Sequence, residues 1–233
     1  MTTIRESSRK TTIVPHEPRM FNERQSPTIR LYPVKNYTFG IKARQPEEDP
    51  SVAARLHRLK EHYEDHGMRR TCEGVLICHE RGHPFVLLLK IANAFYKLPG
   101  DYLNPGEDEL EGFTRLLRNK ISPEDGSDSE WDVGECIAQW WRPNFESFMY
   151  PFIPPHITRP KECKKMYLAH LPRNKTFSIP QNMKMVAVPL FELYDNATRY
   201  GSQLAAIPIY LSKYNFEFID ENDNIISSTP AKS

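Results

Sequence analysis

Residues 99–122 read PGDYLNPGEDELEGFTRLLRNKIS, and this stretch decides the fold. A loop rich in proline and glycine leads into a helix that we predict over about residues 107–121. Acidic residues fill the first turns of that helix and basic residues fill its end, an order that suits the helix dipole. The apolar residues that recur at helical spacing are Leu110, Phe113, Leu117 and Ile121. The stretch is therefore a loop-to-helix unit with one apolar stripe.

This unit resembles the box of the Nudix family, whose pattern is G-x5-E-x7-R-E-U-x-E-E-x-G-U with U apolar. Aligning the first glutamate of the pattern with Glu107 puts Arg115 on its arginine and Leu117 on its apolar position. The degenerate box then spans residues 101–122, and Asp101 stands where the first glycine belongs. The resemblance implies an α/β fold of the Nudix type, an α/β/α sandwich around a mixed sheet with N-terminal and C-terminal helical extensions.

The box lacks the carboxylates on which its chemistry depends. In the family, three glutamates at i, i+3 and i+4 share one helix face and hold magnesium against a pyrophosphate. Those positions are here Leu116, Asn119 and Lys120, and the closing glycine position is Ser122. A divalent cation would find no hard anionic ligand there, and Lys120 would repel it. We expect a Nudix scaffold that is not an enzyme, with no catalytic residues, no metal and no cofactor.

Two interpretations of the remaining carboxylates stay open. Glu107 and Glu111 lie four residues apart, so they could share a helix face and form a replacement metal site. Alternatively they are a solvated pair favoured by the helix N-terminus.

Composition excludes several classes of protein. The 233 residues carry 31 Lys and Arg against 30 Asp and Glu, a net charge of +1, which argues against gripping duplex nucleic acid by charge alone. No run of about 18 apolar residues predicts a membrane helix, and the first ten residues, MTTIRESSRK, lack the apolar stretch of a secretory signal. The four cysteines form no C-x-x-C pair, so we expect neither a zinc site nor a disulfide framework.

Patterning divides the chain into five segments. We predict strands near 70–79, 84–91, 94–98, 166–171 and 185–190, a helix from Ser51 to Gly67, a proline-stiffened aromatic loop over 139–156 and a C-terminal helix over 202–218. The segments are a disordered basic tail (1–28), an extended arm plus helix (29–67), the Nudix domain (68–193), a C-terminal helical extension (194–220) and a flexible tail (221–233).

Longer strings make the resemblance more specific. Over about residues 29–218 the chain is similar to the small, Nudix-fold subunits of pre-mRNA cleavage factor Im. The strings that carry this likeness include LYPVKNYTFG (31–40), GMRRTCEGVLICHE (67–80), FYKLPG (95–100), LNPGEDELEG (103–112), IPPHITRPKE (153–162) and PLFELYDNA (189–197).

This resemblance implies a function in the nucleus. Members of the family bind single-stranded RNA at UGUA elements upstream of poly(A) sites and help to choose the cleavage position. They act as homodimers and recruit a large subunit that contains an RRM. The resemblance also implies poly(A) polymerase and poly(A)-binding protein as partners, and no membrane. Alternatives are a Nudix hydrolase or binder of diadenosine polyphosphates, and a scaffold that only dimerises and holds the large subunit.

The resemblance also implies an RNA site. Phe95 stands where the family stacks a base, and Glu47 and Arg55 stand where it reads base edges. The other implied RNA-binding residues are Glu73, Tyr96, Leu98, Tyr200 and Gly201. The chemistry is coherent, because single-stranded RNA is read by stacking bases on aromatic rings and bonding their edges. By pattern alone, Phe95 would equally fit the core, and Arg55 and Glu73 would fit a solvated surface.

Overall fold

The computed structural model describes residues 27–46, 49, 51–92 and 95–229. Most of the predicted basic tail therefore lies outside the described residues, as does Glu47 of the predicted RNA site. Thr28, which we assigned to the tail, is the first residue of a strand. Within the described residues no helix is long and apolar enough to cross a membrane.

The described residues form strands and helices in a mixed order. The strands are β1 (Thr28–Leu31), β2 (Tyr37–Lys42), β3 (Arg69–Glu80), β4 (His83–Ile91), β5 (Phe95–Lys97), β6 (Gly100–Tyr102), β7 (Asp132–Arg142), β8 (Glu162–His170), β9 (Lys175–Pro180), β10 (Met183–Pro189), β11 (Asn215–Ile219) and β12 (Ile225–Thr229). The helices are α1 (Val52–His66), α2 (Glu109–Ile121), α3 (Leu190–Leu193), α4 (Ala197–Tyr200), α5 (Ser202–Ala205) and α6 (Ile207–Leu211). A 3-10 turn spans Val34–Asn36.

A mixed sheet forms the centre of the molecule. Its main path runs β10-β4-β3-β8-β7, with β5 added to β4 and β6 added to β3. β3 and β8 pair in parallel, and the other pairs are antiparallel. β3 and β4 are buried along most of their length, as the apolar runs in their sequences require of central strands.

Alternate side chains of the central strands face two separate apolar layers. On β3, Val75 packs in the layer that contains Leu204 and Ile207 of the C-terminal helices. Its neighbour Leu76 packs in the layer that contains Phe113 and Leu117 of α2. The sheet therefore lies between helices on both faces, and the expected α/β sandwich with a mixed sheet is confirmed.

The helix ends follow capping rules. Ser51 caps α1 by accepting a hydrogen bond from the backbone N–H of Ala54, and Gly67 ends the helix with a φ of 77°. Both positions agree with the prediction.

The helix of the box begins at Glu109 rather than at residue 107. The side chain of Asp108 caps it by accepting hydrogen bonds from the backbone N–H groups of Leu110 and Glu111.

The C-terminal region corrects two predictions. The helix predicted over 202–218 is wrong: α5 and α6 are short, and the chain then forms β11, which pairs with β1. The sequence NFEFI in β11 alternates polar and apolar residues, and burying its two phenylalanines in the core outweighs helix propensity. The predicted flexible tail from residue 221 contains β12, which pairs with β11. Residues 230–233 lie outside the described residues.

The aromatic segment 139–156 is also partly strand. Gln139–Arg142 complete β7, where Trp140 and Trp141 are buried against the body. β7 is an end strand of the sheet, which agrees with the exclusion of an inner strand. From Pro143 to residue 156 the chain forms no helix and only an isolated bridge to β7, as expected of a loop. β6 and β9 were not predicted, because three to six residues give little periodic signal.

We predict that Gly100→Ala severely destabilises the fold. Gly100 has a φ of 147°, and a Cβ atom there would lie 2.1 Å from the carbonyl oxygen of Cys72 on β3. Since that oxygen belongs to the sheet backbone, it cannot move aside, and the free energy of unfolding should fall by more than about 3 kcal/mol.

Gly106→Ala is the matched control. Gly106 also has a positive φ, of 75°, but nothing lies within 4 Å of an added Cβ. Its cost should be about 1 kcal/mol. Urea titration of both variants measures the difference, and equal losses would contradict the steric explanation.

Candidate nucleic-acid interface

Lys120 fills the part of α2 where the box pattern has a glutamate. Its ammonium is buried, and Nζ donates to Oδ2 of Asp101 and to Oε1 of Gln45, each at 3.0 Å. Burial alone would raise the pKa of the Asp101 carboxyl, but the charges of Lys120 and Lys97 outweigh it and hold that pKa below its usual value. The carboxylate is therefore an anion engaged by lysine.

The other two box positions are also unsuited to a divalent cation. Leu116 is buried in the apolar layer under α2, and Asn119 is exposed. Within the residues that the structure describes, no group of three or more His, Cys, Asp or Glu side chains could hold a metal ion.

Glu107 is engaged by the arginine of its own box. Arg115 donates from Nε and Nη2 to the two carboxylate oxygens at 2.6 and 2.7 Å, and the N–H of Asn104 donates to Oε2 at 2.8 Å. The hydrogen bonds from Arg115 are the main reason that the pKa of Glu107 lies below its usual value. Glu111 is exposed on the helix surface. Of the two interpretations of this pair, the geometry favours a structural Glu107 beside a solvated Glu111.

An exposed aromatic side chain marks the surface beside the box. Phe95, on the short strand β5, is 71% exposed. Its neighbour Tyr96 packs on Tyr200, with ring centroids 4.8 Å apart, and the Tyr200 hydroxyl donates to Glu192 at 2.5 Å. Gly201 follows Tyr200 at the end of α4, with a φ of 81°. The structure thus brings Phe95, Tyr96, Tyr200 and Gly201 to one region.

Leu98 has a different environment from the other predicted site residues. Its side chain is fully buried in the layer beneath the C-terminal helices. It supports β5 from below, and its side chain is not available to a ligand.

Arg55 and Glu73 line one cavity of about 180 Å³, which we call the Arg69 cavity. Arg55 is exposed on α1, whereas Glu73 is buried on β3 and accepts from Nζ of Lys164 at 2.8 Å. Side chains of α1, β3, β5, β6, β7 and β8 surround the cavity. Members of its lining include Arg55, Arg69, Glu73, Lys97, Tyr102 and Lys164.

Sequence reasoning missed Arg69, Lys97 and Lys164. The signal was strand alternation: Arg69 shares a strand face with Glu73, and Lys97 shares one with Phe95. That signal becomes usable only when the strands are known to adjoin, because Lys164 on β8 is 91 residues from Glu73.

The comparisons with known proteins agree with this architecture. The Nudix family model described as "Nucleotide hydrolase" matches residues 27–214. β11 and β12 lie beyond that match.

Curated relatives cover nearly the same part of the chain. The "Pre-mRNA cleavage factor Im 25 kDa subunit 2" of Arabidopsis thaliana is 50% identical over 195 residues, which are 83% of this chain and 98% of the relative. The "Cleavage and polyadenylation specificity factor subunit 5" of Dictyostelium discoideum is 43% identical over 196 residues, 83% of this chain and 97% of the relative. The Arabidopsis thaliana 25 kDa subunit 1 is 45% identical over 193 residues, 82% of this chain and 87% of the relative.

We predict that Glu107→Gln lowers the free energy of unfolding by about 1–2 kcal/mol, because it removes a partly exposed, charge-assisted pair of hydrogen bonds. The folded-state pKa of Glu107 is depressed, so its contribution is present above the unfolded pKa and is lost as pH falls through the folded pKa. The difference between wild type and variant should therefore shrink below about pH 4.

Glu111→Gln is the control, because Glu111 lies four residues along and is exposed. Its effect should stay within about 0.5 kcal/mol. Thermal unfolding from pH 3 to pH 7 measures both. A larger loss for Glu111→Gln would contradict the structural role of Glu107.

Proposed function

We propose a molecular role for a chain that belongs to the Nudix family and, within it, to the 25 kDa subunits of pre-mRNA cleavage factor Im. Family membership assigns the chain to mRNA 3′-end processing. The proposed role is recognition of single-stranded RNA at UGUA elements upstream of poly(A) sites, without catalysis and in the nucleus.

The exposure of Phe95 is the single observation that carries this proposal. Phe95, the first residue of a three-residue strand, is 71% exposed, whereas Leu98, three residues later, is fully buried. A large apolar ring in water gains free energy when a base stacks on it, by about 1–3 kcal/mol per base. Tyr96, the next residue on β5, packs on Tyr200 and so ties this strand to α4.

The polar groups near Phe95 suit base edges. Arg55 is exposed on α1, and its side chain makes no hydrogen bond or ion pair within the described part of the chain, so its guanidinium is available to a base acceptor. The Glu73 carboxylate accepts from Lys164 through one oxygen, Oε1, and its other oxygen can accept from a base amino group. Such recognition needs few phosphate contacts, which is consistent with a net charge of +1.

The environment of Lys120 supports a role without catalysis. An ammonium bound to Asp101 and Gln45 occupies the helix face on which the Nudix reaction needs metal-binding carboxylates. A divalent cation would have to displace that ammonium and would then find Leu116 and Asn119 as neighbours.

Exposed aromatic residues support the proposal that this subunit binds other proteins. Phe191 and Tyr194 lie exposed on and after α3, and we propose that they contribute to a homodimer contact. Phe148 and Phe152 lie exposed in the loop after β7, and we propose that this loop helps to bind the large RRM-containing subunit. Poly(A) polymerase and poly(A)-binding protein are further proposed partners.

We predict that Phe95→Ala weakens binding of a UGUA oligonucleotide by about 1–3 kcal/mol, because one base loses its stacking surface. The fold should survive, since the side chain is largely exposed. Phe148→Ala is the matched control, because Phe148 is 72% exposed but lies in the loop after β7. Fluorescence anisotropy measures affinity and circular dichroism checks folding. Unchanged affinity for folded Phe95→Ala would contradict the site, and complex assembly without any RNA binding would favour a pure scaffold.

We also predict no magnesium-dependent hydrolysis of diadenosine polyphosphates, because Lys120 repels the cation from α2. Release of mononucleotides, followed by chromatography with and without EDTA, measures this. Turnover above background that disappears in Glu107→Gln would contradict the proposal and favour an active hydrolase.

A further inference from the structure

We infer that the Arg69 cavity is a phosphate-binding pocket in which Arg69 and Lys97 hold one phosphate group of a nucleotide whose base stacks on Phe95. This inference rests on the proposed function, and it adds a pocket and two residues that the RNA-site resemblance does not contain.

Arg69 is a buried cation without an anionic partner. It is 2% exposed, and within the described residues it forms no ion pair. Its Nε has no hydrogen-bond partner, and its Nη2 makes only a 3.4 Å contact with the backbone oxygen of Arg58. The guanidinium lies over the ring of Tyr102 at 4.2 Å. Since arginine stays protonated and a buried unpaired charge is costly, the site is incomplete without an anion.

Lys97 is a second cation in the same cavity. Its side chain forms no ion pair or hydrogen bond with another described residue. Burial lowers the pKa of its amine, and the charges of Lys120 and Lys164 lower it further, while Asp101 and Glu73 oppose this. It lies two residues after Phe95 on β5, so the two side chains leave the strand on the same side.

The carboxylates around the cavity are already engaged. Glu73 binds Lys164, Glu162 binds Arg142, and Asp101 binds Lys120, at 2.8, 2.9 and 3.0 Å. After these three pairs, the cations that remain in the lining are Arg55, Arg69 and Lys97. The lining therefore contains more cations than carboxylates. Asp49, which lies outside the lining and pairs with Arg58, also interacts electrostatically with Arg55 and Arg69.

A phosphate group fits these donors better than a neutral ligand does. A guanidinium and an ammonium bind phosphate oxygens through charge-assisted hydrogen bonds. Phe95 and Lys97 lie two residues apart on β5, so about 6.7 Å separates their Cα atoms along the strand. In a nucleotide, the sugar spans the gap between base and phosphate. The phosphate could belong to the RNA backbone or to a free nucleotide, since both present the same chemistry.

The first test measures how the full-length protein binds RNA in which single phosphates have been neutralised. A set of UGUA oligonucleotides carries one methylphosphonate linkage each, and their affinities are measured for wild type, Lys97→Met and Lys60→Met. Lys60 is exposed on α1 and serves as the control for loss of one charge. If the RNA backbone supplies the phosphate, a methylphosphonate at one position weakens RNA binding by wild type and by Lys60→Met. The same methylphosphonate causes no further loss of affinity in Lys97→Met. Lys97→Met should also reduce the slope of log affinity against log salt by about 0.7.

The second arm uses inorganic pyrophosphate as the probe. If a free nucleotide is the ligand, pyrophosphate binds wild type and Lys60→Met but not Lys97→Met in calorimetric titrations, and no methylphosphonate has an effect. The inference is overturned if wild type binds the RNA while neither the methylphosphonate coupling nor pyrophosphate binding is seen. Absence of RNA binding by wild type would instead overturn the proposed function.

Folding of the variant is part of the test. Lys97→Met removes a half-buried cation that has no ion-pair partner, so its melting temperature should equal or exceed that of wild type. A structural role for Lys97 predicts the opposite, a lower melting temperature. Lys97→Gln repeats every measurement with a polar side chain, and Arg69→Gln tests the second cation by the same methylphosphonate coupling.

Discussion

The ion pair between Lys120 and Asp101 is the interaction on which the arrangement of α2, β6 and the neighbouring cavity depends. It joins α2 to β6, and the third partner, Gln45, brings the N-terminal arm to the same point. Gln45 is fastened in turn to Asn182 through two hydrogen bonds, one from each residue. A cation supplied by the protein thus holds together elements that a bound metal and its ligands would otherwise connect. On this face of α2 the box pattern has glutamates, and the chain has the ammonium of Lys120 beside Leu116 and Asn119.

Ion pairs of the same kind determine which charged groups remain unpaired in the Arg69 cavity. Because lysine and arginine side chains already engage the carboxylates of β3, β6 and β8, the cavity beside Phe95 faces a ligand with unpaired guanidinium and ammonium groups. An exposed ring, a free arginine on α1 and a cationic pocket are the parts that recognition of a short single strand requires. Arg55, Arg69 and Lys97 line one cavity, so the chain offers several cations locally although its net charge is +1.

The sequence predicted the central strands, α1 and α2 because their apolar residues repeat at regular spacing, and Ser51 and Gly67 marked the ends of α1. It placed the start of α2 two residues too early, because the capping role of Asp108 was not predicted. It failed at β11, where the alternation in NFEFI was shorter than the helical pattern assumed around it. Phe95 and Leu98 show why the site was only partly predictable. Both are apolar residues at a strand, and only the packing of β5 on β4 and the C-terminal helices decides that one is exposed and the other buried. Arg69 and Lys97 were not predicted as site residues, because a sequence does not show which cations lack an ion-pair partner in the fold.

The central claim is that this Nudix fold reads RNA bases without a metal. The most direct measurement is the affinity of the full-length chain for a UGUA oligonucleotide and for the same bases in scrambled order, each in excess EDTA. We predict that UGUA binds at least tenfold more tightly, a difference of about 1.4 kcal/mol, and that adding magnesium leaves this ratio unchanged. Equal affinities for the two oligonucleotides, or selectivity that appears only with magnesium, would contradict it.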